Sequence, residues 1–155
     1  MEVVATMSKI STPGFALLLW LASACMPGGY ARAGAGENQP AEMPILQEWR
    51  GDYPVPLLNR LPAGQQGSRA GYIGDSRQFE RIWQAFRPRE DTPRVDFDHH
   101  LVVFYRNIDF YNRTAIPKVL LKAGLVEILA LETRTACPIE DKVAMALAVI
   151  PRAGV

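Results

Sequence analysis

The sequence predicts an α+β domain, with one amphipathic helix packed on an antiparallel sheet of four to five strands. Three observations carry this. Phe79, Ile82, Trp83 and Phe86 fall at i, i+3, i+4 and i+7, which is one face of a helix. The runs "HLVVFYR", "LVEILALET" and "VAMALAVI" fill the C-terminal half with strand-forming residues. The short turns between them favour antiparallel pairing.

The chain opens on a leader. Lys9 supplies positive charge, and Phe15 to Ala24 form an apolar run of ten residues. A membrane-spanning helix needs about 20. Small residues follow, as in a secretory signal peptide, and Met7 offers a tidier start than Met1. Two cleavage readings stand. "ARA", Ala31 to Ala33, fits the A-x-A rule and leaves Gly34 as the first mature residue. "ASAC", Ala22 to Cys25, resembles a bacterial lipobox, with Cys25 as the lipidated residue and Ala22 where Leu, Val or Ile is usual. A retained anchor is a third outcome. The expected location is therefore outside the cytoplasm, periplasmic or extracellular, with membrane attachment only through a lipid on Cys25. The chain has two cysteines, Cys25 and Cys137. Removal or lipidation of Cys25 leaves Cys137 without an intrachain partner, so no structural disulfide is expected.

From Gly34 onward, 15 Lys and Arg balance 15 Asp and Glu. That excludes a basic field for nucleic acid or an anionic membrane. The length suits one domain, residues 45 to 155, and no repeat or heptad is present. Residues 34 to 44, "GAGENQPAEMP", read as a flexible tether. "ILQEW", residues 45 to 49, reads as a short strand. The next 22 residues, 50 to 71, hold three Pro and four Gly and read as loop and turn. Asp75, with Gln78 three residues on, forms a capping box for the helix, and Pro88 ends it. Residues 100 to 106 are a buried strand. "IPKVLL" and "LVEILALET" form a hairpin around "KAG", with Gly124 at the tight position. Residues 143 to 150 suit a central strand, although their Ala and Met content also fits a helix.

Chemistry-bearing residues are sparse. His99 and His100 are the only histidines, and with Asp96 and Asp98 they make "DFDHH", a mixed nitrogen and oxygen ligand set for a metal. Neighbours on a strand point to opposite faces, so the pair converges only from a turn. A solvated loop is the plainer reading. "GDS", Gly74 to Ser76, resembles the nucleophile block of GDSL-type esterases, and "DFDH" matches their later D-x-x-H. Only 19 residues separate Ser76 from Asp96, and these hold the helix, whereas such enzymes need a full doubly wound domain. Helix capping accounts for Asp75 and Ser76. "RGD", Arg50 to Asp52, matches an integrin-binding tripeptide inside a loop. Cys137 is either a reactive thiol, whose only candidate bases are His99 and His100, or, as the plainer reading, a small buried hydrophobe. Tyr105, Phe110 and Tyr111 are either a contact patch or core and strand ends. No phosphate loop, dinucleotide fingerprint or haem attachment is present, so no cofactor is expected.

Trp83, then Pro93, Val95, Asp96 and Phe97 in "PRVDF", then Val102 to Phe104 resemble the C-terminal domain of the PrcB family over residues 72 to 151. The family's Gly-Gly-Tyr turn is replaced here by "YNRTAIP". The resemblance implies a small exported α+β accessory domain, found in lipoproteins and in a subunit of a surface protease complex, and no catalytic residues. In "PRVDF" itself, Pro93 restricts the chain before the strand. Asp96 can accept backbone hydrogen bonds in the turn, and Phe97 can plug the helix–sheet gap near Trp83. The function expected is non-enzymatic binding of an envelope protein or small ligand. Alternatives are a metal-binding protein using Asp96, Asp98, His99 and His100, and a small hydrolase using Ser76.

Overall fold

A computed structural model describes residues 2–6, 39–134 and 137–155. The elements are β1 (Glu2–Thr6), β2 (Ala41–Met43), β3 (Gln47–Pro54), a 3-10 turn (Val55–Arg60), β4 (Ala70–Ile73), α1 (Ser76–Phe86), β5 (His100–Arg106), β6 (Thr114–Lys122), β7 (Leu125–Glu132) and β8 (Lys142–Pro151). They form mostly antiparallel sheet with little helix. In place of the single expected sheet there are two of four strands, ordered β3-β8-β5-β4 and β1-β7-β6-β2.

The division follows from side-chain alternation. On β8, Val143, Met145, Leu147 and Val149 join Phe79, Ile82, Trp83 and Phe86 of α1 in one core. Ala146, Ala148 and Ile150 join Ile116, Val119, Val126 and Ile128 of β6 and β7 in a second. On β5, Val102 and Phe104 face the first core, while Leu101, Val103 and Tyr105 face the second. Strands covered on both faces read as continuous apolar runs. β7 buries only alternate residues, Val126, Ile128 and Ala130. The β6–β7 hairpin thus has one apolar face to hide, and the alanine side of β8 receives it.

The helix begins at an Asp75 N-cap whose carboxylate accepts the Gln78 N–H at 2.8 Å, and its last residue is Phe86, two before Pro88. Trp83 sits among Trp49, Phe79 and Phe86, with ring centroids 5.2, 5.8 and 5.9 Å away. Phe97 packs on Phe79 at 5.8 Å, and its ring contact is there instead of with Trp83. The hairpin turn is Ala123-Gly124, both in the left-handed region at φ 50° and 77°. That is the pattern of a two-residue type I′ turn.

Three further expectations are corrected. Arg50 to Pro54 continue β3 along β8, from Arg50↔Ala146 to Pro54↔Lys142. The strand persists because Tyr53 is fully buried in the first core. The expected loop from 50 to 71 therefore shrinks, and its last residues belong to β4. Within the expected tether, Ala41–Met43 pair with β6, anchored by buried Met43. Glu2–Thr6 pair with β7, inside the segment read as leader. The apolar run, Cys25 and Ala31 to Gly34 lie outside the described residues. No helix among the described residues is long and apolar enough to cross a membrane.

Candidate functional site

At one end of the sandwich the two sheets part, and a cleft of about 630 Å³ opens between them. Arg50 and Asp52 of β3 form one wall, Thr114 of β6 with Leu131 and Glu132 of β7 form the other, and Tyr111 and Arg113 close the end. The strand pattern places these side chains. Arg50 and Asp52 are on the opposite face of β3 from Tyr53, which points under the helix.

Charge is organised around Asp52. The Tyr111 hydroxyl donates to it at 2.6 Å and the Lys142 ammonium at 2.9 Å. Lys142 also lies over the Tyr111 ring, 5.1 Å from its centroid. Partial burial alone would raise the Asp52 carboxyl. Tyr111, Lys142 and the Arg113 charge outweigh it and hold the group below the usual carboxylate range. The same bond raises the Tyr111 hydroxyl. Two residues back along β3, Glu48 binds Arg50 through both oxygens, at 2.8 and 2.6 Å. It also accepts the backbone N–H of Ile116 at 2.8 Å. This N–H lies at the β6 irregularity between Ala115 and Lys118, so Glu48 ties the sheets together where the ladder is interrupted.

Thr114 is 6% exposed, and its hydroxyl makes no hydrogen bond. An unpaired buried hydroxyl is costly, about 1–3 kcal/mol. Thr114 lines the cleft, so a ligand group entering it to hydrogen-bond would relieve that cost.

The residues singled out in sequence are dispersed. Arg50 to Asp52 lie in a paired strand, not a loop. Tyr105 is fully buried, while Phe110 is 44% exposed and Tyr111 lines the cleft. Cys137 is free and exposed, not the buried hydrophobe expected, and its carbonyl accepts the Tyr111 N–H at 2.8 Å. His99 lies in the turn before β5, and His100 is that strand's first residue. His99 Nδ1 is 2.8 Å from the Asp96 carboxylate, and His100 Nδ1 is 3.1 Å from the Asp96 carbonyl. Asp96 also accepts the Asp98 N–H, and the His99 contact holds its carboxyl low. Among the described residues, no three His, Cys, Asp or Glu side chains are grouped to hold a metal. Ser76 and Asp96 line one shallow depression of about 570 Å³. Missed from sequence were Arg113, Thr114, Glu132 and Lys142, which come from separate segments with no shared spacing. No protein-family model, curated protein or solved structure matches this chain.

Proposed function

We propose that this chain is an exported, non-enzymatic α+β domain, one amphipathic helix over an antiparallel layer, that binds an envelope protein or small ligand in the cleft between its sheets. The observation that carries this is the cleft wall. It sets the buried, unpaired Thr114 hydroxyl beside Leu131, Arg113 and the Asp52–Tyr111–Lys142 cluster. Recognition sites combine apolar surface with a few converging polar groups in this way. The likeness of Trp83 to Phe104 to PrcB-type domains supports an accessory role.

The test uses a photo-cross-linking residue at Arg113, on the rim, and at Glu80, on the exposed face of α1. A product in envelope fractions from position 113, absent from position 80 and lost on Leu131→Asp, supports the reading. Equal products from both positions overturn it. Intact mass of the purified protein tests the export half, by a lipid adduct on Cys25 or a start at Gly34.

A second reading, a small hydrolase using Ser76, rests on the Asp96–His99 pair and the depression that Ser76 shares with Asp96. Loss of ester hydrolysis on Ser76→Ala would support it, and unchanged or absent hydrolysis would remove it.

A further inference from the structure

Each sheet ends in edge strands, and an exposed edge is a template for another strand unless something blunts it. Three of the outer edges here are blunted. β2 has three residues and sits between Pro40 and Pro44. On β3, the Arg50 carbonyl is taken by the Arg87 guanidinium at 2.6 Å, and the strand ends in Pro54. On β4, the Tyr72 N–H is taken by Gln65 Oε1 at 2.7 Å. Gly71 makes room for that side chain, since a Cβ there would collide with the same oxygen.

β7 has none of these devices. "LVEILALE" is eight residues long, with no Pro, Gly or Lys. Its outer edge is instead covered by β1, in unbroken antiparallel register from Glu2↔Leu131 to Thr6↔Glu127. This covering strand is separated by residues 7 to 40 in sequence from β2. It also lies inside the segment read as a cleavable leader. The edge is thus built to be paired, and the strand that pairs with it is the one most easily lost.

We infer that the outer edge of β7 is a strand-acceptor site for an extended segment of a partner polypeptide, which takes the place that Glu2–Thr6 hold in cis. The partner adds as an antiparallel strand, with backbone hydrogen bonds providing the binding and alternate side chains the selection. "EVVAT" shows what the edge accepts, a short β-branched run with polar ends. A partner strand one residue longer at its N-terminal end reaches Glu132, and so enters the cleft. This inference rests on the reading of the chain as a binding domain and names the partner's class, a polypeptide in extended form.

The test uses the full chain and its Val3→Pro/Val4→Pro double variant, which weakens the cis strand. Circular dichroism checks that the variant keeps its fold. The probe is a synthetic peptide of residues 1–8, followed by backbone amide shifts. A short tethered segment competes at an effective concentration in the millimolar range. The peptide is therefore expected to bind the double variant at least about tenfold more tightly than the parent. Shifts should be confined to Leu125–Glu132 and the adjoining cleft. A peptide with the same side chains and N-methylated backbone should not bind. No shifts with either chain, shifts elsewhere, or equal binding of the N-methylated peptide would overturn the inference. Dimerisation of the double variant through β7 would assign the edge to a second copy and overturn it too. Cross-linking from Arg113 that persists without peptide binding would leave the cleft reading standing and remove only the strand edge.

Discussion

Towards α1, β8 presents Val143, Met145, Leu147 and Val149; towards the β6–β7 hairpin it presents Ala146, Ala148 and Ile150. The two faces of one sheet are filled by opposite means. Under the helix, large side chains reach from both layers, with Trp83, Phe79 and Phe104 fully buried. Under the hairpin, the central strand contributes mainly alanines, and Ile116, Val119, Val126 and Ile128 fill the space from the other side. Interiors are close-packed on both faces. The helix side is therefore sensitive to losing volume, and the hairpin side to gaining it.

The largest expected effect is on the helix side. Trp83→Ala removes the ring that touches Trp49, Phe79 and Phe86, and frees the Glu90 carbonyl that its indole N–H binds at 3.2 Å. Truncating a buried Trp costs about 3–5 kcal/mol. Urea unfolding should show this loss of stability. A loss below 1 kcal/mol would mean that the helix side is not the tighter core.

On the hairpin side, Ala146→Leu puts three extra carbons between the sheets. Overpacking costs about 1–3 kcal/mol. The same measurement should show a loss here, where a larger apolar residue would stabilise a loosely filled core. A gain in stability would break the comparison.

Each face also holds a buried tyrosine, and the two sharpen the contrast through pH. Burial pushes the Tyr53 hydroxyl up to about 12, against the opposing Arg60 charge. Its hydroxyl donates to the Leu57 carbonyl at 3.0 Å, a bond only the neutral form makes. Burial also raises Tyr105 on the hairpin side, where Arg69 opposes it and the Glu132 charge adds to it. A folded-state value above the unfolded one means stability is intact below the unfolded value of about 10. That stability is lost as pH rises towards 12. Titration of phenolate absorbance should show a late step that Tyr53→Phe removes. Disappearance of no late step in that variant would place Tyr53 in contact with water.

The helix layer was legible from sequence because its signal is local. Phe79, Ile82, Trp83 and Phe86 carry the period, and Asp75 and Pro88 mark the ends within the same stretch. The β6–β7 hairpin was legible for the same reason, through Gly124 and the alternation on each side. The second sheet was not. A run such as "VAMALAVI" shows that both faces are covered, but not that one cover is a helix and the other a sheet. The alternation of Ala146 and Ala148 with Met145 and Leu147 held that information in side-chain size. β3 was masked by Gly51 and Pro54, which read as turn residues until Tyr53 finds its core. In the cleft, Tyr111 stood out as an aromatic and Arg50 to Asp52 only as a tripeptide read as loop. Arg113, Thr114, Glu132 and Lys142 meet Asp52 only through pairing between distant segments.

The smallest expected effect lies in the hairpin turn and acts in the stabilising direction. Ala123 holds φ at 50° beside Gly124 at 77°. For a residue with a Cβ, the left-handed region is disfavoured by about 1–2 kcal/mol, a cost glycine escapes. Ala123→Gly removes that strain but makes the unfolded chain more flexible, so part of the gain is offset. The net expectation is a stabilisation below about 1 kcal/mol, read as a small upward shift in the urea midpoint. Ala123→Asn adopts the same conformation with less unfolded-state freedom and should shift the midpoint at least as far. The turn lies far from the helix core, so the gain should add to the Trp83→Ala loss without coupling. Destabilisation by both substitutions would mean that the hairpin closes through another turn. Its alternation would then no longer place Val126, Ile128 and Ala130 against the alanines of β8.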